Sequence, residues 1–502
     1  MKVMLRAGTP DDNNREYLPE SIKNSDIVVN ENGNNSQPYP IGLKECTGVL
    51  ADGLEDRWYE YVPSSYDGTK KVPLVIGNHG GLMTGWGHAI YTSWTMVAER
   101  DGFICVFPDA HAMRMWTVKG VFDKFDPKDA PDLPVIQVPD NMEENHDMNF
   151  LYNLIVHMKE KYNIDEGRVF MQGMSMGNLM TSQFARYYGH VLTGAAGSGG
   201  PTRPDLLFDE NGNIVNRGGP MAIWQSRPET NGLPPSATYD ERIVNKYCRF
   251  YWMKINECDP IPEISIIGED NMAFYKGKKA DLVYLDIKNR DHGQTLDEAF
   301  LYWDYLFSGA HKEPDGTVVC GEGNLSRTGD KFAMAFSAGY DKVWFENKVQ
   351  QLSTAPQQWQ KLKYHGLNGG QEVRGDYLCV PVSFLAKAFG AEYIPSADTL
   401  TAVVRLKDGR ELQFARGSIG CMIDDRLRSM YCEALHRNGE LLVSVEWFCR
   451  YLFGMNVSVC NGVVYVTDHF AELSYFMADL ILDLFKGFTL PDDFTNINIE
   501  YE

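Results

Sequence analysis

Short apolar runs alternate with amphipathic stretches along residues 43–310. Continuous apolar runs are typical of strands buried on both faces of a sheet, and apolar residues three and four positions apart are typical of a helix that covers the sheet. Because the two kinds of segment alternate, the pattern predicts an α/β fold with a mostly parallel sheet and helices on both faces. The predicted strands are 57–62, 72–76, 103–107, 169–171, 191–196, 221–224 and 282–287, and the predicted helices are 93–100, 149–162, 239–253 and 296–307, with Asp147 as the N-cap of the second.

Differences in composition divide the chain into five segments. Residues 1–42 are rich in Asn, Asp, Glu, Gly and Pro, which predicts an extended, partly disordered N-terminal arm. Residues 43–310 form the predicted α/β domain, 311–330 a linker, 331–470 a smaller α+β domain, and 471–502 a helix followed by an acidic tail. At 502 residues the chain is longer than one ordinary domain, which agrees with two folded parts.

An internal repeat supports the smaller α+β domain. The segment Asp376–Leu385 returns as Gly439–Phe448, and each copy continues into a short helix and a closing strand. Upstream of these segments, residues 336–339 and 343–348 are similar to residues 414–417 and 422–426, in the same order along the chain. Two copies in register over so long a stretch predict a domain made of two similar units.

The acidic composition narrows the choice of partners. The formal net charge is −21 and the isoelectric point is near 5.0, so nucleic acid and anionic membrane surfaces would repel this chain. The sequence contains no run of about 18 apolar residues, so no membrane-spanning helix is predicted. The first residues lack the apolar core of a signal peptide, which predicts a cytoplasmic protein, or an extracellular one if the N-terminus has been trimmed.

Metal-binding and redox motifs are absent from the sequence. The ten cysteines are scattered without a Cys-x-x-Cys pair, so neither a zinc site nor a dense disulfide framework is expected. His-Glu-x-x-His and a glycine-rich phosphate loop do not occur. The sequence therefore predicts no metal site and no cofactor.

The motif Gly173-Met-Ser-Met-Gly177 is the main indication of chemistry. An apolar run, Val169–Met171, leads into the motif, and a helical pattern follows it through Tyr188. Strand, sharp turn and helix are the context in which Gly-x-Ser-x-Gly forms a nucleophile elbow, because the glycines allow the turn that exposes the serine hydroxyl. Ser175 is therefore the candidate nucleophile.

A serine nucleophile needs a base and an orienting acid, and in α/β-hydrolases the acid and then the histidine follow it along the chain. Among the histidines after Ser175, His292 lies in a loop between a late strand and the final helix of the domain, so it is the candidate base. Glu229 follows the preceding strand and is the candidate acid. The alternatives for the acid are Asp240, Asp259 and Asp291.

The oxyanion that develops during ester hydrolysis needs backbone donors near Ser175. The predicted donors are Met176 N–H, directly after the nucleophile, and Gly81 N–H in the loop after an early strand, with Leu82 as the alternative to Gly81. Ligands of such sheets bind at the carboxyl ends of the strands, so histidines and tryptophans there are candidate substrate contacts. They are His79, Trp86, His88, Trp116 and Trp224.

Three segments carry a resemblance to a known family: Pro73–Gly81, Ala98–Asp109 and Tyr162–Gly177. On these segments, residues 55–305 resemble the polyhydroxybutyrate depolymerase/feruloyl esterase-like branch of the α/β-hydrolases. The resemblance implies a serine esterase that hydrolyses feruloyl or acetyl esters of plant polysaccharide. Polyester depolymerisation is the alternative, and a non-catalytic binding protein on the same scaffold is the third possibility.

The sequence departs from this family at two places. Gln225-Ser-Arg-Pro-Glu229 stands where members usually have His-Gly-Thr-x-Asp, and Asn178 stands where they tend to have a second glycine. The assignment of Glu229 therefore depends on its position after a strand and not on a matching motif.

The segment Val380–Gly390 resembles the signature of the copper amine oxidase N-terminal-like domain, and the resemblance covers residues 331–468. It implies an auxiliary module without copper ligands, of a kind usually appended to extracellular bacterial proteins. The expected partners are a small ester or an esterified polysaccharide at the catalytic domain, and carbohydrate or a second copy of the chain at this module.

Overall fold

The computed structural model describes residues 3, 20, 42–112, 114–121, 137–229, 239–290, 292–365 and 370–500. Nearly all of the predicted N-terminal arm, and the alternative acid Asp291, lie outside these residues. The chain divides into two compact units. The first comprises Met1–Pro262, Ala273–Arg327 and Leu490–Glu502, and the second comprises Glu263–Met272 and Thr328–Thr489. The acidic tail therefore groups with the first unit, whereas the helix that precedes it groups with the second.

A mostly parallel sheet organises the first unit. Its strands within the first unit are β1 (Lys44–Ala51), β2 (Leu54–Tyr61), β3 (Val72–Asn78), β4 (Ile104–Pro108), β5 (Ile164–Met174), β6 (Gly194–Ser198), β7 (Ala222–Pro228) and β10 (Leu282–Ile287). Strand β8 (Glu263–Ile267) and the first half of β9 (Asp270–Tyr275) lie in the segment Glu263–Met272, which groups with the second unit. Within the first unit the order of the strands in space is β1-β2-β4-β3-β5-β6-β7-β10. From β4 to β10 the pairs are parallel, whereas β1 and β2 are antiparallel to their neighbours. The predicted α/β fold is confirmed.

The helices of the first unit alternate with these strands along the chain. They are α1 (Gly85–Tyr91), α2 (Trp94–Asp101), α3 (His146–Lys161), α4 (Met176–Tyr188), α5 (Pro204–Leu207), α6 (Glu241–Asn256) and α7 (Glu298–Leu301). The predicted helix 296–307 is a succession of α7, a π-helical turn at Tyr302–Leu306 and a 3-10 turn at Phe307–Gly309. Within the part of the chain that the structure describes, no helix has the length and apolar character needed to cross a bilayer.

The middle strands of the sheet are buried on both faces, as their continuous apolar runs predict. Every residue of β4 and of β10 is buried, and in β3 only Val72 is partly exposed. The edge strand β1 contains one buried residue, Ala51. The core therefore lies along β3, β4, β5 and β10, and it holds the carboxyl ends of these strands in fixed positions.

The start of α3 differs from the prediction. Asn145 is the N-cap, and its side chain accepts the Met148 N–H at 3.2 Å. Asp147 lies in the first turn, where its buried carboxylate accepts the N–H groups of His111 at 3.2 Å and Thr117 at 2.7 Å. The predicted cap was wrong because an aspartate in the first turn and one at the cap have similar sequence signatures. Asp147 instead fixes the loop that follows β4.

Antiparallel sheets make up most of the second unit. Its strands after Thr328 are β13 (Ala333–Ser337), β14 (Lys342–Phe345), β15 (Lys348–Gln351), β16 (Gln357–His365), β17 (Gly370–Pro381), β18 (Glu392–Pro395), β19 (Thr401–Arg405), β20 (Glu411–Ala415), β21 (Gly420–Ile423), β22 (Arg426–Ser429), β23 (Leu435–Arg437), β24 (Glu440–Ser444), β25 (Asn456–Cys460) and β26 (Val463–Thr467). The small hairpin of β11 (Ala310–Lys312) and β12 (Val318–Cys320) belongs to the first unit. The helices of the second unit are α8 (Val382–Ala388), α9 (Val445–Trp447), which continues into a π-helical turn at Phe448–Leu452, and α10 (Tyr475–Phe485).

The two sequence repeats exchange strands within the second unit. The three sheets have the orders β15-β14-β13-β26-β25, β16-β17-β24-β23 and β18-β19-β20-β21-β22. The last hairpin of each copy thus completes the sheet that the other copy begins. In the four-stranded sheet, Val380 pairs with Val443, which occupies the corresponding position of the other copy. Neither copy completes its sheets alone, so the repeat forms one cooperative unit.

Candidate active site

Ser175 occupies a sharp turn between β5 and α4. Its backbone angles, φ 56° and ψ −118°, are rare for any residue other than glycine. The glycines on either side permit the turn because the backbone passes very close to itself. A Cβ on Gly173 would lie 2.0 Å from Gly177 O, and a Cβ on Gly177 would lie 2.1 Å from Asn78 O. The strand, turn and helix expected from the motif are therefore present, with Ser175 at the carboxyl edge of the sheet.

Two consecutive glycines after β6 lie between Ser175 and His292. Ser175 N–H donates to Ser198 O at 2.8 Å, and Ser198 Oγ donates at 3.1 Å to the backbone carbonyl of the residue after His292. A Cβ on Gly199 would lie 3.1 Å from Cε1 of His292, and a Cβ on Gly200 would lie 2.6 Å from Ser175 O. The end of β6 therefore brings the candidate nucleophile and the candidate base to the same place.

Asn178 supports this glycine pair from the first turn of α4. Its side-chain nitrogen donates to the carbonyl oxygens of Gly199 and Gly200, the second at 3.2 Å. The amide also fills the space beside Gly197, where a Cβ would lie 1.7 Å from Asn178 Oδ1. The residue that departs from the family pattern therefore fixes the loop between Ser175 and His292.

Glu229 follows β7 directly and contacts the loop that leads to His292. Its N–H donates to Ile287 O at 3.0 Å, and its Oε2 accepts the Asn289 N–H at 3.1 Å. Lys288 Nζ lies 3.8 Å from Oε1, and the glutamate side chain is 15% exposed. Because β7 and β10 are parallel neighbours, their carboxyl ends bring the candidate acid to the histidine loop.

The alternative acids lie elsewhere. Asp259 follows α6, and the last residue of that helix, Asn256, bonds both the N–H and the carbonyl of Met221 just before β7. Asp259 is therefore at the amino edge of the sheet, opposite the turn at Ser175. Asp240 caps the start of α6. Position favours Glu229 over Asp259, and the carboxylate of Asp240 is already engaged by the N–H and the Nε of Arg242 at 2.8 and 2.9 Å.

Gly81 and Met176, the two candidate oxyanion donors, are adjacent. A Cβ on Gly81 would lie 3.1 Å from Met176 Cγ. The Leu82 N–H donates to Arg114 O at 2.9 Å, whereas no acceptor for the Gly81 N–H is found among the described residues. Met176 opens α4, and the first N–H groups of a helix have no partner within it and favour negative charge. Of the two predicted alternatives, the geometry favours Gly81.

The five candidate substrate contacts are buried in the core. Each of the following is 1% exposed or less: His79, Trp86, His88, Trp116 and Trp224. His79 Nε2 accepts the Ala110 N–H at 2.9 Å, and burial lowers the pKa of His79 to about 3, so its ring is neutral near pH 7. Trp116 Nε1 donates to His79 O at 2.8 Å. The core therefore encloses all five side chains, and this burial does not support the prediction that they contact substrate.

A buried hydrogen-bond network joins the nucleophile strand to the histidine loop. Gln172 lies three residues before Ser175, and its Nε2 donates to Gln294 Oε1 at 2.8 Å. Gln172 Oε1 accepts from His88 Nε2 at 3.0 Å and from Trp94 Nε1 at 2.9 Å. Sequence reasoning missed this network because its members share no spacing along the chain.

Comparison with known proteins finds relatives for parts of the chain, although no protein-family model matches it. The chain is 27% identical over 177 residues to probable acetylxylan esterase A of Aspergillus fumigatus, covering 35% of this chain and 42% of the relative. It is 27% identical over 157 residues to feruloyl esterase B of Thermothelomyces thermophilus, with coverages of 31% and 47%. It is 28% identical over 149 residues to poly(3-hydroxyalkanoate) depolymerase C of Paucimonas lemoignei, with coverages of 28% and 31%. The matches span less than half the length of each of these curated relatives.

Solved structures align with about half of the chain. An acetyl xylan esterase from Aspergillus awamori covers 52% of this chain and 97% of its own, with a TM-score of 0.38 and 15% identity. A ferulic acid esterase from Anaeromyces mucronatus covers 52% and 88%, with a TM-score of 0.31 and 15% identity. The order of the strands and the turn at Ser175 define the fold by themselves. The first unit has the α/β-hydrolase fold, and the sequence relatives of the chain include esterases and a poly(3-hydroxyalkanoate) depolymerase.

Proposed function

We propose that this chain is a serine carboxylic-ester hydrolase with Ser175, His292 and Glu229 as its triad. The observation that carries the proposal is the backbone of Ser175, a residue with a side chain held at φ 56° between a parallel strand and a helix. Such strain persists only where the surrounding structure imposes it, and in hydrolases of this fold it exposes the nucleophile. The position of His292 beside Gly199 and the esterase names of the relatives support the same function.

Each residue has one task in the proposed mechanism. Ser175 Oγ attacks the ester carbonyl while His292 accepts the hydroxyl proton, which it then donates to the leaving alkoxide. Water attacks the acyl-enzyme with the same help from His292, and the carboxylic acid and free Ser175 result. Glu229 orients the imidazole and stabilises its charged form. The Gly81 and Met176 N–H groups stabilise the oxyanion, and loss of one such donor costs roughly 10²- to 10³-fold in kcat.

Feruloyl or acetyl esters of plant polysaccharide are the proposed substrates. The names of two relatives, an acetylxylan esterase and a feruloyl esterase, support this class. The surroundings of the nucleophile are apolar: Met174 and Met176 flank Ser175, and Leu82 is 46% exposed beside Gly81. Apolar surface suits an ester with an apolar acyl group. Contact of the second unit with carbohydrate or with another copy of the chain remains a prediction.

Polyester depolymerisation is the second candidate function. The same triad would cleave a polyester, and one relative is named as a poly(3-hydroxyalkanoate) depolymerase. A non-catalytic binding protein on a hydrolase scaffold is the third candidate. It differs from the other two because it predicts no turnover of any ester.

Hydrolysis of p-nitrophenyl acetate, a long-chain p-nitrophenyl ester, methyl ferulate, acetylated xylan and a poly(3-hydroxybutyrate) suspension tests the proposal. Ser175→Ala is expected to lower kcat by about 10³-fold or more. Ser182→Ala is the matched control, because Ser182 is a half-buried serine on the same helix and accepts a hydrogen bond from Thr202 at 2.8 Å. This control should keep wild-type activity.

The outcomes separate the candidates. Turnover that survives Ser175→Ala contradicts the mechanism, and absence of turnover by the wild-type chain favours the binding protein. A higher kcat/KM for methyl ferulate or acetylated xylan than for the other esters supports the proposed substrate class. Preferential release of soluble acid from the polyester overturns that class and leaves the mechanism in place.

A further inference from the structure

A cluster of two histidines and two aspartates lies apart from the candidate triad. Asp52 and Asp56 belong to the β1–β2 hairpin, His111 follows β4, and His146 begins α3. Asp56 is 3% exposed, His146 is half-buried and His111 is exposed. One ligand atom from each of Asp56, His111 and His146 lies within 4.8 Å of the other two.

The separations in this cluster are close to those of a metal site. Oδ1 of Asp56 lies 2.9 Å from Nε2 of His146 and 3.2 Å from Nδ1 of His111. Tetrahedral zinc has bonds of about 2.0–2.1 Å, which places neighbouring ligand atoms about 3.3 Å apart. Both distances from Asp56 Oδ1 are therefore within a few tenths of an ångström of the spacing between ligands around such an ion.

Asp52 orients one of the two imidazoles. Its Oδ2 lies 2.9 Å from Nδ1 of His146, so Nδ1 donates a proton to Asp52, and a metal ion that displaces the Nε2 proton would find the Nε2 lone pair beside Asp56. A carboxylate on the far nitrogen is the usual partner of a metal-bound histidine, since it fixes the tautomer and makes the ligand more basic. The cluster therefore contains the supporting group of a metal site as well as its ligands.

The second carboxylate oxygen of Asp56 is an independent indication. The Asp56 side chain is 0% exposed, and its Oδ2 has no hydrogen-bond partner among the residues that the structure describes. A buried carboxylate oxygen without a partner is costly, and a bound cation would compensate that cost. The unpartnered atom belongs to the residue that both histidines face.

We propose that Asp56, His111 and His146 bind one divalent transition metal ion, with Zn²⁺ as the best fit and water completing the coordination. Two imidazoles and one carboxylate match the ligand preferences of Zn²⁺, whereas Mg²⁺ and Ca²⁺ prefer oxygen ligands throughout. In the alternative arrangement, protons on the two imidazoles face Asp56 and no ion is bound. The two arrangements differ in their response to added metal.

The ion would join three segments that are distant along the chain. It would tie the β1–β2 hairpin and the start of α3 to the loop after β4. That loop continues to Arg114, whose carbonyl accepts the Leu82 N–H beside the candidate oxyanion donor Gly81. The ion would therefore stabilise a loop at the border of the candidate active site without taking part in the chemistry at Ser175.

Titration of the chelator-treated, dialysed full chain tests this site. ZnCl₂ is added in a calorimeter and CoCl₂ in a visible spectrophotometer, where tetrahedral Co²⁺ absorbs strongly. One equivalent is expected to bind, with affinity about 100-fold weaker or more in His111→Ala and in His146→Ala, and about 10- to 100-fold weaker in Asp52→Asn. His311→Ala is the matched control, because His311 is a half-buried histidine whose Nδ1 lies 3.5 Å from Oε1 of Glu313, and it should keep wild-type affinity.

The site would be overturned if Zn²⁺ binding does not saturate at one equivalent, or if the affinity is unchanged in both histidine variants. Equal affinity for MgCl₂ would also overturn it, since a site with two imidazole ligands should select Zn²⁺. Because His111 is exposed, His111→Ala is expected to fold, and circular dichroism checks this. Zn²⁺ should raise the unfolding midpoint of the wild type and not that of His111→Ala. None of these measurements uses an ester, so they are independent of the proposed hydrolase activity.

Discussion

The imidazole of His292 lies against the α-carbon of Gly199, where a β-carbon would stand 3.1 Å from Cε1 and 3.4 Å from Nδ1. The next residue, Gly200, makes a similarly close approach to the backbone of Ser175. The candidate base and the candidate nucleophile thus lie on either side of one glycine pair. Their separation depends on the loop after β6 as much as on the loops that carry them.

Gly199→Ala should displace the imidazole of His292 and lower kcat by up to about 100-fold, because small misplacements of catalytic groups have effects of that size. Gly219→Ala is the matched control. Gly219 also has a positive φ, 79°, but nothing lies within 4 Å of its Cβ position. Both variants should lose roughly 1–2 kcal/mol of stability through backbone strain. Steady-state kinetics and urea unfolding separate the two effects, and an equal loss of activity in both variants would refute displacement of His292.

Glu229→Gln should lower kcat/KM by about 100-fold or more, because the imidazole loses the charge that orients and stabilises it. Asp259→Asn should change kcat/KM by less than about twofold, since Asp259 lies at the opposite edge of the sheet. Kinetics with one p-nitrophenyl ester compares the two variants directly. The reverse pattern would transfer the role of acid from Glu229 to Asp259.

Asn178→Ala should lower kcat by about tenfold with little change in KM, because two carbonyls of the glycine loop lose their donor and the loop is no longer fixed. Asn153→Ala removes a comparable bond, from its side-chain nitrogen to Leu50 O at 2.7 Å, which joins α3 to the edge strand β1 and not to the glycine loop. The two variants should lose similar stability, about 0.5–1.5 kcal/mol each. Thermal unfolding and kinetics on both proteins test the claim, which fails if Asn153→Ala loses as much activity as Asn178→Ala.

The free energy of unfolding should fall as the pH rises from the ordinary pKa of Glu298 to its raised pKa in the folded chain. Burial raises the pKa of Glu298 from 4.5 to about 7. Because the raised pKa belongs to the folded state, the folded chain keeps a proton that the unfolded chain has already lost, and its stability declines between these two values. Glu298→Gln should flatten this decline, as measured by urea midpoints at pH 5 and pH 8. The exposed Glu313→Gln serves as the control and should keep the wild-type slope, and an equal flattening in both variants would contradict the assignment.

Much of the fold could be predicted from the local pattern of apolar and polar residues. The run 282–287 forms β10 with the predicted bounds, and the alternation of strands and helices gives the predicted parallel sheet. The prediction at Asp147 was wrong because its partners, the N–H groups of His111 and Thr117, lie in a loop about thirty residues earlier in the chain. The N-cap pattern involves only about four neighbouring residues, so it carries no information about partners from a distant loop.

The residues of the candidate site were likewise predictable from the sequence only in part. The motif around Ser175 and the order of Glu229 and His292 could be found in the sequence, because chain order along a known strand pattern fixes which loops meet. The five histidines and tryptophans assigned to substrate could not be judged from position alone. They follow strands as expected, yet the core encloses each of them.

The sequence by itself determined the periodic elements, the serine turn and the existence of two copies in the second unit, because each depends on neighbours along the chain. Only the tertiary structure decided that Gly199 separates His292 from Ser175, that each copy completes the other's sheet, and that Asp56, His111 and His146 meet. These relationships join residues tens of positions apart, and their distances follow from how the sheet and helices pack. The hydrophobic pattern predicts which faces of the strands and helices pack together. It does not predict which individual residues touch, so contacts of this kind can be identified only in the folded chain.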